Sequence, residues 1–402
     1  MNQPDLCSTG MVLFVGLMPP EPGGAGIVGR NLVACFARDS VVVATSGNRQ
    51  RSAMQYEPEN LTYEILTAVR YSRRVNHWLF RLQTPVAARR LARIAREVDA
   101  RVIIGSHPTA HLLEIARRAA RHAAIPWIAY LHDTLVEAGR HLPQRKRLLK
   151  LQDAVFREAS HVLVMSRGMC NLYRDNYDGM ETTALEHIYP LPVRTELPGV
   201  PSKSKAFWAG NVYGINAHSF GRIAAAARDV GIGIQMTTPK SLSILQKMGV
   251  DTSSIERVYY PDWSDYHDAL SEHEFLLLAL DWPDESPIHR DELATIFPTK
   301  TPEYLASGRP ILVHCPEDYF LARFFREHGC GTVVSERSSG SIVEAFREIR
   351  AGGTRITAQT ENALAAISRF RPERIAGRLK TVVDAVAAVR WGEQADVELS
   401  GS

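Results

Sequence analysis

The chain has 402 residues, 45% of them hydrophobic and 23% charged, a composition that excludes global disorder and provides core for about two domains. Its five cysteines have no paired spacing and no apolar run reaches the ~20 residues of a membrane span, which argues against a disulfide framework, a zinc module and an integral membrane protein. The net charge of +3 is uneven, because residues 1–195 hold 25 Lys and Arg against 17 Asp and Glu. Since the start also lacks a secretory signal, we expect a cytoplasmic protein whose basic first half meets an anionic acceptor or surface.

Apolar strand-like runs alternate with amphipathic helices along the first half of the chain. The predicted strands are 11–17, 41–45, 62–66, 101–105, 127–131 and 161–165, and the predicted helices are 29–38, 85–98, 109–123 and 147–159. This alternation is typical of a parallel sheet that helices cover on both faces.

A glycine-rich stretch follows the first predicted strand. Residues 24–29 match G-x-G-x-x-G, which in dehydrogenases brings a pyrophosphate to a helix start. Two features argue against NAD binding: residues 18–22 separate the motif from its strand, and residues 41–46 offer no acidic side chain for a ribose. From spacing alone, the glycines are equally typical of a tight strand-to-helix turn.

Two histidines follow neighbouring strands of the predicted sheet. His107 comes after the strand at 101–105, and His132 and Asp133 come after the strand at 127–131. Ligands of doubly wound sheets bind at the carboxyl ends of the strands, so these side chains are candidates for binding or catalysis. A polar surface position is the alternative for each histidine.

The α/β alternation restarts after a proline-rich stretch at 189–205. The predicted strands there are 206–209, 233–237, 258–260, 275–280, 311–314 and 331–334, and the predicted helices are 219–230, several from 341 onward, and 372–390. The chain therefore predicts a second domain of the same class.

The most informative segment is FPTKTPEYLASGRPILV at 297–313. Thr301 suits a helix N-cap, Pro302 the first helical position and Gly308 the left-handed turn that ends a helix. Lys300 precedes the helix and Glu303 lies in its first turn. A cation and a carboxylate at a helix start suit a nucleoside diphosphate, whose phosphates meet free N–H groups and whose ribose meets the acid. An ordinary capped surface helix is the alternative.

This segment resembles the donor-site segment of the GT-B nucleotide-sugar glycosyltransferases, in particular the large retaining group called family four. In that group a loop, a glutamate and a small-residue helix ending in Gly-x-Pro hold the donor nucleotide, and Lys300 and Glu303 match the pattern. Residues 162–168 resemble the strand-then-serine segment before the family's linker, and residues 207–211 the first strand and glycine turn of its second domain. The family often has a further glutamate eight residues before the ribose-binding one, where this chain has Thr295.

The resemblance implies the GT-B fold, in which two Rossmann-like α/β domains with parallel sheets face each other across a cleft. Residues 1–195 would form the acceptor-side domain, 196–205 the linker and 206–371 the donor domain. Residues 372–392 would form a helix that crosses back to the first domain, and 393–402 a frayed tail.

The resemblance also implies roles for individual residues. The catalytic residues would be His132, Lys300 and Glu303, and the acceptor-binding residues would be His107 and Asp133. The donor-binding residues would be Gly23, Gly24 and Gly26, as a loop, with Gly210, Asn211, Tyr260, Thr299, Lys300, Thr301, Pro302 and Glu303.

The expected chemistry needs neither a metal nor a cofactor, since the nucleotide-diphosphate sugar is the substrate. Breaking the sugar–phosphate bond builds negative charge on the diphosphate, which Lys300 and the helix N–H groups would stabilise. The sequence has no D-x-D triplet for a metal and no His/Cys cluster for zinc. The family implies retention, and in the absence of an obvious nucleophile we favour front-face attack.

We therefore expect a glycosyltransferase of polysaccharide biosynthesis that acts on a glycan, lipid-linked or small-molecule acceptor. A sugar-nucleotide epimerase or hydrolase and a catalytically silent nucleotide-binding homologue are the alternatives, and Thr295 keeps the latter open.

Basic residues cluster at 70–101 and 140–150. Trp78, Leu79, Phe80 and Leu82 interrupt the first cluster, which favours either peripheral contact with the anionic inner face of the membrane or an amphipathic core helix with a solvated arginine face. No nucleic-acid partner is expected, because the overall charge is modest and no recognition motif occurs.

Overall fold

The computed structural model describes residues 10–18, 24–37, 40–46, 62–67, 77–137, 145–260 and 262–399. The chain divides into two compact units. Unit 1 consists of Met1–Val136, His141–Pro190 and Arg371–Ser402, and unit 2 of Glu137–Arg140 and Leu191–Phe370. Within the described ranges, no helix is long and apolar enough to cross a bilayer.

Unit 1 is built on a parallel sheet. Its described strands are β1 (Val12–Val15), β2 (Val41–Ser46), β3 (Thr62–Thr67), β4 (Val102–His107), β5 (Trp127–Leu131), β6 (His161–Val164) and β7 (Thr183–Ala184). They lie in the order β3-β2-β1-β4-β5-β6-β7. The first five helices are α1 (Gly24–Val33), α2 (His77–Glu97), α3 (Ala110–Ala123), α4 (Arg145–Glu158) and α5 (Arg167–Asn176).

Unit 2 repeats this architecture. Its described strands are β8 (Lys203–Ala209), β9 (Gly233–Thr237), β10 (Ile255–Arg257), β11 (His273–Ala279), β12 (Ile311–His314) and β13 (Thr332–Val334), in the parallel order β10-β9-β8-β11-β12-β13. Its helices are α6 (Ala217–Asp229), α7 (Leu242–Lys247), α8 (Trp263–Glu272), α9 (Arg290–Thr295), α10 (Thr301–Ala306), α11 (Phe320–Glu327), α12 (Ser339–Ala351) and α13 (Thr354–Ala366), followed by a 3-10 turn at Ile367–Phe370. The last helix, α14 (Pro372–Leu399), returns to unit 1.

The central strand of unit 1 shows why its sequence is apolar throughout. Val12 pairs with Val41 on one side and with Val102 on the other, so β1 lies inside the sheet. All four residues of β1 are buried, since helices cover both faces of a parallel sheet. One of these faces packs against α1 and α14, whose buried residues Ile375, Leu379 and Val383 join the same core as β1.

The structure places several boundaries of unit 1 differently from the sequence-based expectation. Helix α1 begins at Gly24, five residues before the predicted start, and α2 begins at His77 rather than at Pro85. Pro85 lies inside α2, because a proline removes one helical hydrogen bond without necessarily ending the helix. Helix α5 and the short strand β7 were not predicted. Ser166 begins α5 by accepting a hydrogen bond from the Met169 N–H, so the expected strand-then-serine segment is in fact a strand followed by a capped helix.

Three further expectations in the second half were wrong. Strand β10 is Ile255–Arg257, not 258–260, although the Val258 N–H still donates to Met236 O at 2.9 Å. Part of the predicted linker at 196–205 belongs to β8, which begins at Lys203. The predicted frayed tail starts inside α14, because that helix continues to Leu399.

Candidate active site

The start of α10 and the end of β8 are held together by the backbone of a single residue, Ala209. Lys300 Nζ donates to the carbonyl oxygen of Ala209 at 2.6 Å, and the Ala209 N–H donates to the Tyr304 hydroxyl at 2.8 Å. Tyr304 is fully buried, so its hydrogen bond is shielded from water. Two segments that the sequence assigned to donor binding, 297–313 and 207–211, therefore meet in unit 2.

The Lys300 ammonium lies in an unusual environment for a cation. It is half-buried, and its Nζ is 3.6 Å from the centre of the Trp208 ring. Burial lowers the pKa of Lys300 to about 7, and the nearby Glu303 carboxylate opposes this shift only in part. A weakly solvated cation beside a helix start is suited to a strongly charged anion.

The N-terminal cap of α10 differs from the expectation. Lys300, not Thr301, occupies the N-cap, because the Thr301 N–H already donates to Pro298 O at 2.9 Å and the chain coils before the helix begins. Pro302 consequently takes the second helical position. Gly308 has the expected left-handed conformation, with φ of 71°.

A buried hydroxyl at this helix start remains without a partner. Within the described part of the chain, Thr301 Oγ1 makes no hydrogen bond although Thr301 is completely buried. Buried polar atoms normally have partners, so an unsatisfied hydroxyl here is consistent with a ligand group. Thr299 is half-buried in the preceding turn and Pro302 is buried.

Glu303 is held from a second helix. The Tyr266 hydroxyl of α8 donates to Glu303 Oε2 at 2.6 Å, and Glu303 is half-buried. The Tyr266 ring lies near Tyr260, with 6.4 Å between the ring centres. Tyr260, a predicted donor-binding residue, donates to Gln235 Oε1 at 3.2 Å. Its neighbour Tyr259 is 84% exposed, so the two tyrosines are not a buried aromatic pair.

The glycine turn after β8 has the geometry that only glycine adopts readily. Gly210 has φ of 88°, and its N–H donates to Thr237 O at 2.8 Å. Both Gly210 and Asn211 are exposed, one and two residues after the carbonyl that Lys300 contacts. Thr295 is buried and its hydroxyl donates to Glu292 O at 2.9 Å, so it replaces the family's upstream glutamate with a neutral, internally bonded group.

In unit 1, the predicted residues His107, His132 and Asp133 lie together, and His187 joins them. His132 Nδ1 is 3.4 Å from Asp133 Oδ1, and the His132 and His187 ring centres are 5.1 Å apart. All three histidines are less than 8% exposed, so none is the polar surface residue that the alternative interpretation proposed. Within the described ranges, His132 Nε2 is buried and makes no hydrogen bond.

The electrostatics of this group, the histidine cluster, centre on its carboxylate. Burial alone would raise the pKa of Asp133, but the imidazoles of His132, His107 and His187 hold it below its ordinary value. Burial lowers the pKa of His107 to about 4, so its ring is neutral at pH 7. The cluster therefore presents an anionic carboxylate among imidazoles that can donate and accept hydrogen bonds.

The predicted glycine loop was wrong for the two glycines that the structure describes. Gly23 lies outside the described residues, and Gly24 and Gly26 lie in the first turn of α1 rather than in a loop. Gly29 allows this helix to approach the segment that follows β1 closely, because a Cβ at Gly29 would overlap the carbonyl oxygen of Leu17. This glycine therefore serves packing.

Comparison with known proteins places this architecture. Residues 22–190 match the family described as Glycosyltransferase Family 4. Sucrose-phosphate synthase from Thermosynechococcus elongatus superposes with a TM-score of 0.67 at 13% identity, over 94% of this chain and 99% of that one. Anabaena HepE in complex with UDP and glucose superposes with a TM-score of 0.66 at 15% identity, over 92% of this chain and 98% of that one. For α,α-trehalose 6-phosphate synthase from Burkholderia multivorans the TM-score is 0.62 at 11% identity, over 96% of this chain and 98% of that one. No curated protein matches the sequence at a significant level.

The chain has the GT-B fold. The resemblance to GT-B glycosyltransferases of the family-four group, which the sequence predicted, is confirmed. Three GT-B site neighbours were missed by sequence reasoning: Trp208, Tyr266 and His187. Trp208 stands inside the quoted 207–211 segment and could have been found there, whereas Tyr266 and His187 are brought in by tertiary packing and carry no local signal.

We predict that Lys300 makes stability depend on pH. Its pKa is about 7 in the folded chain and 10.5 when solvated, so between these pH values the unfolded chain binds more protons than the folded chain. The contribution of Lys300 to the free energy of unfolding therefore becomes more favourable as pH rises, because a charge no longer has to be buried. The free energy of unfolding of Lys300→Met relative to the wild type should therefore decrease from pH 7 to pH 10 in urea denaturation. The exposed control Lys247→Met should show a constant difference, and a constant difference for Lys300→Met as well would refute the assigned environment.

Proposed function

We propose that this protein is a glycosyltransferase that moves a sugar from a nucleoside-diphosphate donor to an acceptor, with retention and without a metal. The observation that carries the proposal is the start of α10, where a half-buried ammonium, a buried hydroxyl without a described partner and a tyrosine-held carboxylate lie within four residues. These are the groups that a diphosphate and a ribose require. The solved complex of HepE, a structure of the same fold, contains UDP and glucose.

The proposed roles follow from charge. Lys300 and the buried Thr301 hydroxyl bind the diphosphate, and the Lys300 ammonium stabilises the negative charge that develops as the sugar leaves. Glu303 accepts the ribose hydroxyls, and Gly210, Asn211 and Tyr260 complete the nucleotide site. Because these groups are fixed before the donor binds, little reorganisation is needed at the moment of bond cleavage.

The histidine cluster supplies the remaining roles. His132, whose Nε2 is buried without a described partner, orients the donor sugar, while Asp133 and His107 bind the acceptor. The leaving phosphate assists deprotonation of the acceptor hydroxyl in a front-face attack. Among the described residues, no group of three or more His, Cys, Asp and Glu side chains is arranged to hold a metal ion.

A cavity lined by basic side chains on unit 1 supports the binding of an anionic acceptor or surface. Its described lining is Thr84, Arg118, Lys146, Arg147 and Lys150, and its volume is about 530 Å³. On α2, Leu82 and Val86 are 65% and 66% exposed, one helical turn apart. We therefore propose a cytoplasmic protein that contacts the anionic inner surface of the membrane through the basic cavity of unit 1 and acts there on glycan or lipid-linked acceptors.

We predict that nucleoside diphosphates stabilise the protein and that Lys300 and Glu303 are needed for this effect. A ligand at 100 times its Kd stabilises the folded state by about 2.7 kcal/mol, which a thermal-shift screen of UDP, GDP, ADP and dTDP would detect. Lys300→Ala and Glu303→Ala should each remove most of the shift, whereas the exposed controls Lys247→Ala and Glu361→Ala should retain it. Full shifts in both site variants would count against this site.

We predict that His132→Ala lowers turnover by roughly 100-fold, since a displaced sugar loses its reactive geometry. Nucleotide affinity should be unchanged, and the exposed control His122→Ala should be fully active. Nucleotide release should require acceptor, because an epimerase or hydrolase would act without one and a silent homologue would release none. A fully active His132→Ala variant would reject the role of the histidine cluster.

We predict that anionic vesicles bind the protein through the basic cavity. Each Lys near such a surface contributes about 1 kcal/mol, so Lys146→Glu/Lys150→Glu should weaken co-sedimentation with phosphatidylglycerol vesicles by at least about 30-fold. The control Lys247→Glu/Arg347→Glu on unit 2 should bind like the wild type. Equal binding to neutral phosphatidylcholine vesicles would contradict an electrostatic contact.

A further inference from the structure

Tyr266 makes the contact that orients Glu303. Its hydroxyl donates to Glu303 Oε2 at 2.6 Å, a short hydrogen bond to a charged acceptor. Tyr266 is 9% exposed, whereas Glu303 is half-buried, so the tyrosine approaches the carboxylate from the protein interior and leaves it accessible to solvent. The two residues stand 37 positions apart, so this bond joins α8 to α10.

The position of the Tyr266 hydroxyl is fixed by aromatic packing. Its ring centre lies 5.3 Å from that of His267, 6.3 Å from that of Phe207 and 6.4 Å from that of Tyr260. Phe207 is completely buried in β8 and anchors the group. Because close packing restricts the Tyr266 ring, its hydroxyl fixes the position of the Glu303 carboxylate rather than the reverse.

A free glutamate would serve a ribose poorly. Its side chain has several rotatable bonds, and ordering them upon binding costs affinity. An ionised carboxylate offers about four lone-pair sites, and the bond to Tyr266 occupies only one of them. Holding Glu303 in advance would therefore strengthen the bonds that distinguish a ribose from a deoxyribose.

We propose that Tyr266 is a positioning residue that determines sugar specificity in the nucleotide, so that the preference for a ribose over a 2′-deoxyribose depends on its hydroxyl. The proposal rests on the proposed function, because Glu303 must contact the nucleotide ribose. Tyr266 itself acts through Glu303.

The test compares the dissociation constants of UDP and 2′-deoxy-UDP by calorimetry, or of the matching pair for the base that the wild type binds best. The variants are Tyr266→Phe, which keeps the ring, and the control Tyr177→Phe, which removes a hydroxyl that accepts a hydrogen bond from Gln152 in unit 1. We expect the wild type to prefer the ribonucleotide by at least about tenfold, the worth of a hydrogen bond to a charged group. Tyr266→Phe should bind the ribonucleotide about tenfold more weakly and the deoxynucleotide unchanged, and Tyr177→Phe should keep the wild-type preference.

Each other result overturns the inference in a recognisable way. A Tyr266→Phe variant with the full ribose preference, or with equal losses for both nucleotides, would show that the hydroxyl does not act through ribose recognition. A wild type that binds both nucleotides equally would remove the premise that Glu303 contacts the 2′-hydroxyl. A wild type that binds no nucleoside diphosphate would overturn the proposed function as well.

Discussion

The two hydrogen bonds made by the backbone of Ala209 are the constraint on which the candidate site in unit 2 depends. One bond brings an ammonium to the end of a central strand, and the other brings a buried tyrosine hydroxyl to the same residue. Because both side chains belong to one segment, the strand end and the start of α10 cannot move independently. A cation at the amino end of a helix, partly withdrawn from water over an indole ring, is unfavourable for folding alone. Proteins retain such arrangements where an anion must be bound, and the adjacent buried hydroxyl of Thr301 is consistent with this reading.

The central ionisable groups of the two candidate sites carry opposite charges. In unit 2 the central group is the Lys300 ammonium, poised near neutrality by burial. In unit 1 it is the Asp133 carboxylate, which three imidazoles keep ionised. A polyphosphate leaving group needs the first environment. Sugar and acceptor hydroxyls, which donate and accept hydrogen bonds without net charge, suit the second.

The sequence predicted the fold class and singled out the segments that meet at Ala209, because both depend on local signals. Buried strands such as β1 and β12 read as short apolar runs, and the turn at Gly308 needs a residue that tolerates positive φ. The predicted ends of helices and strands were wrong where local sequence preference and tertiary packing favoured different structures. Pro85 resembles a helix start but is carried inside α2, and the β-prone residues 258–260 follow a strand formed by the less β-prone Ile255–Arg257. Contacts such as Tyr266 with Glu303 are set by packing between distant helices, and no spacing rule reports them.

The placement of α14 has a consequence for biosynthesis. Six residues of α14 complete a core whose other buried members lie in the first half of the polypeptide: Ile375, Ala376, Leu379, Val383, Val386 and Ala387. During synthesis, nearly the whole of unit 2 is therefore made before α14, the helix that completes the core of unit 1. Until the ribosome releases the final helix, one face of the first sheet has an open apolar seam that chaperones could shield. The amino-terminal half is thus made first and finished last, which is the reverse of the usual order for domains on a growing polypeptide.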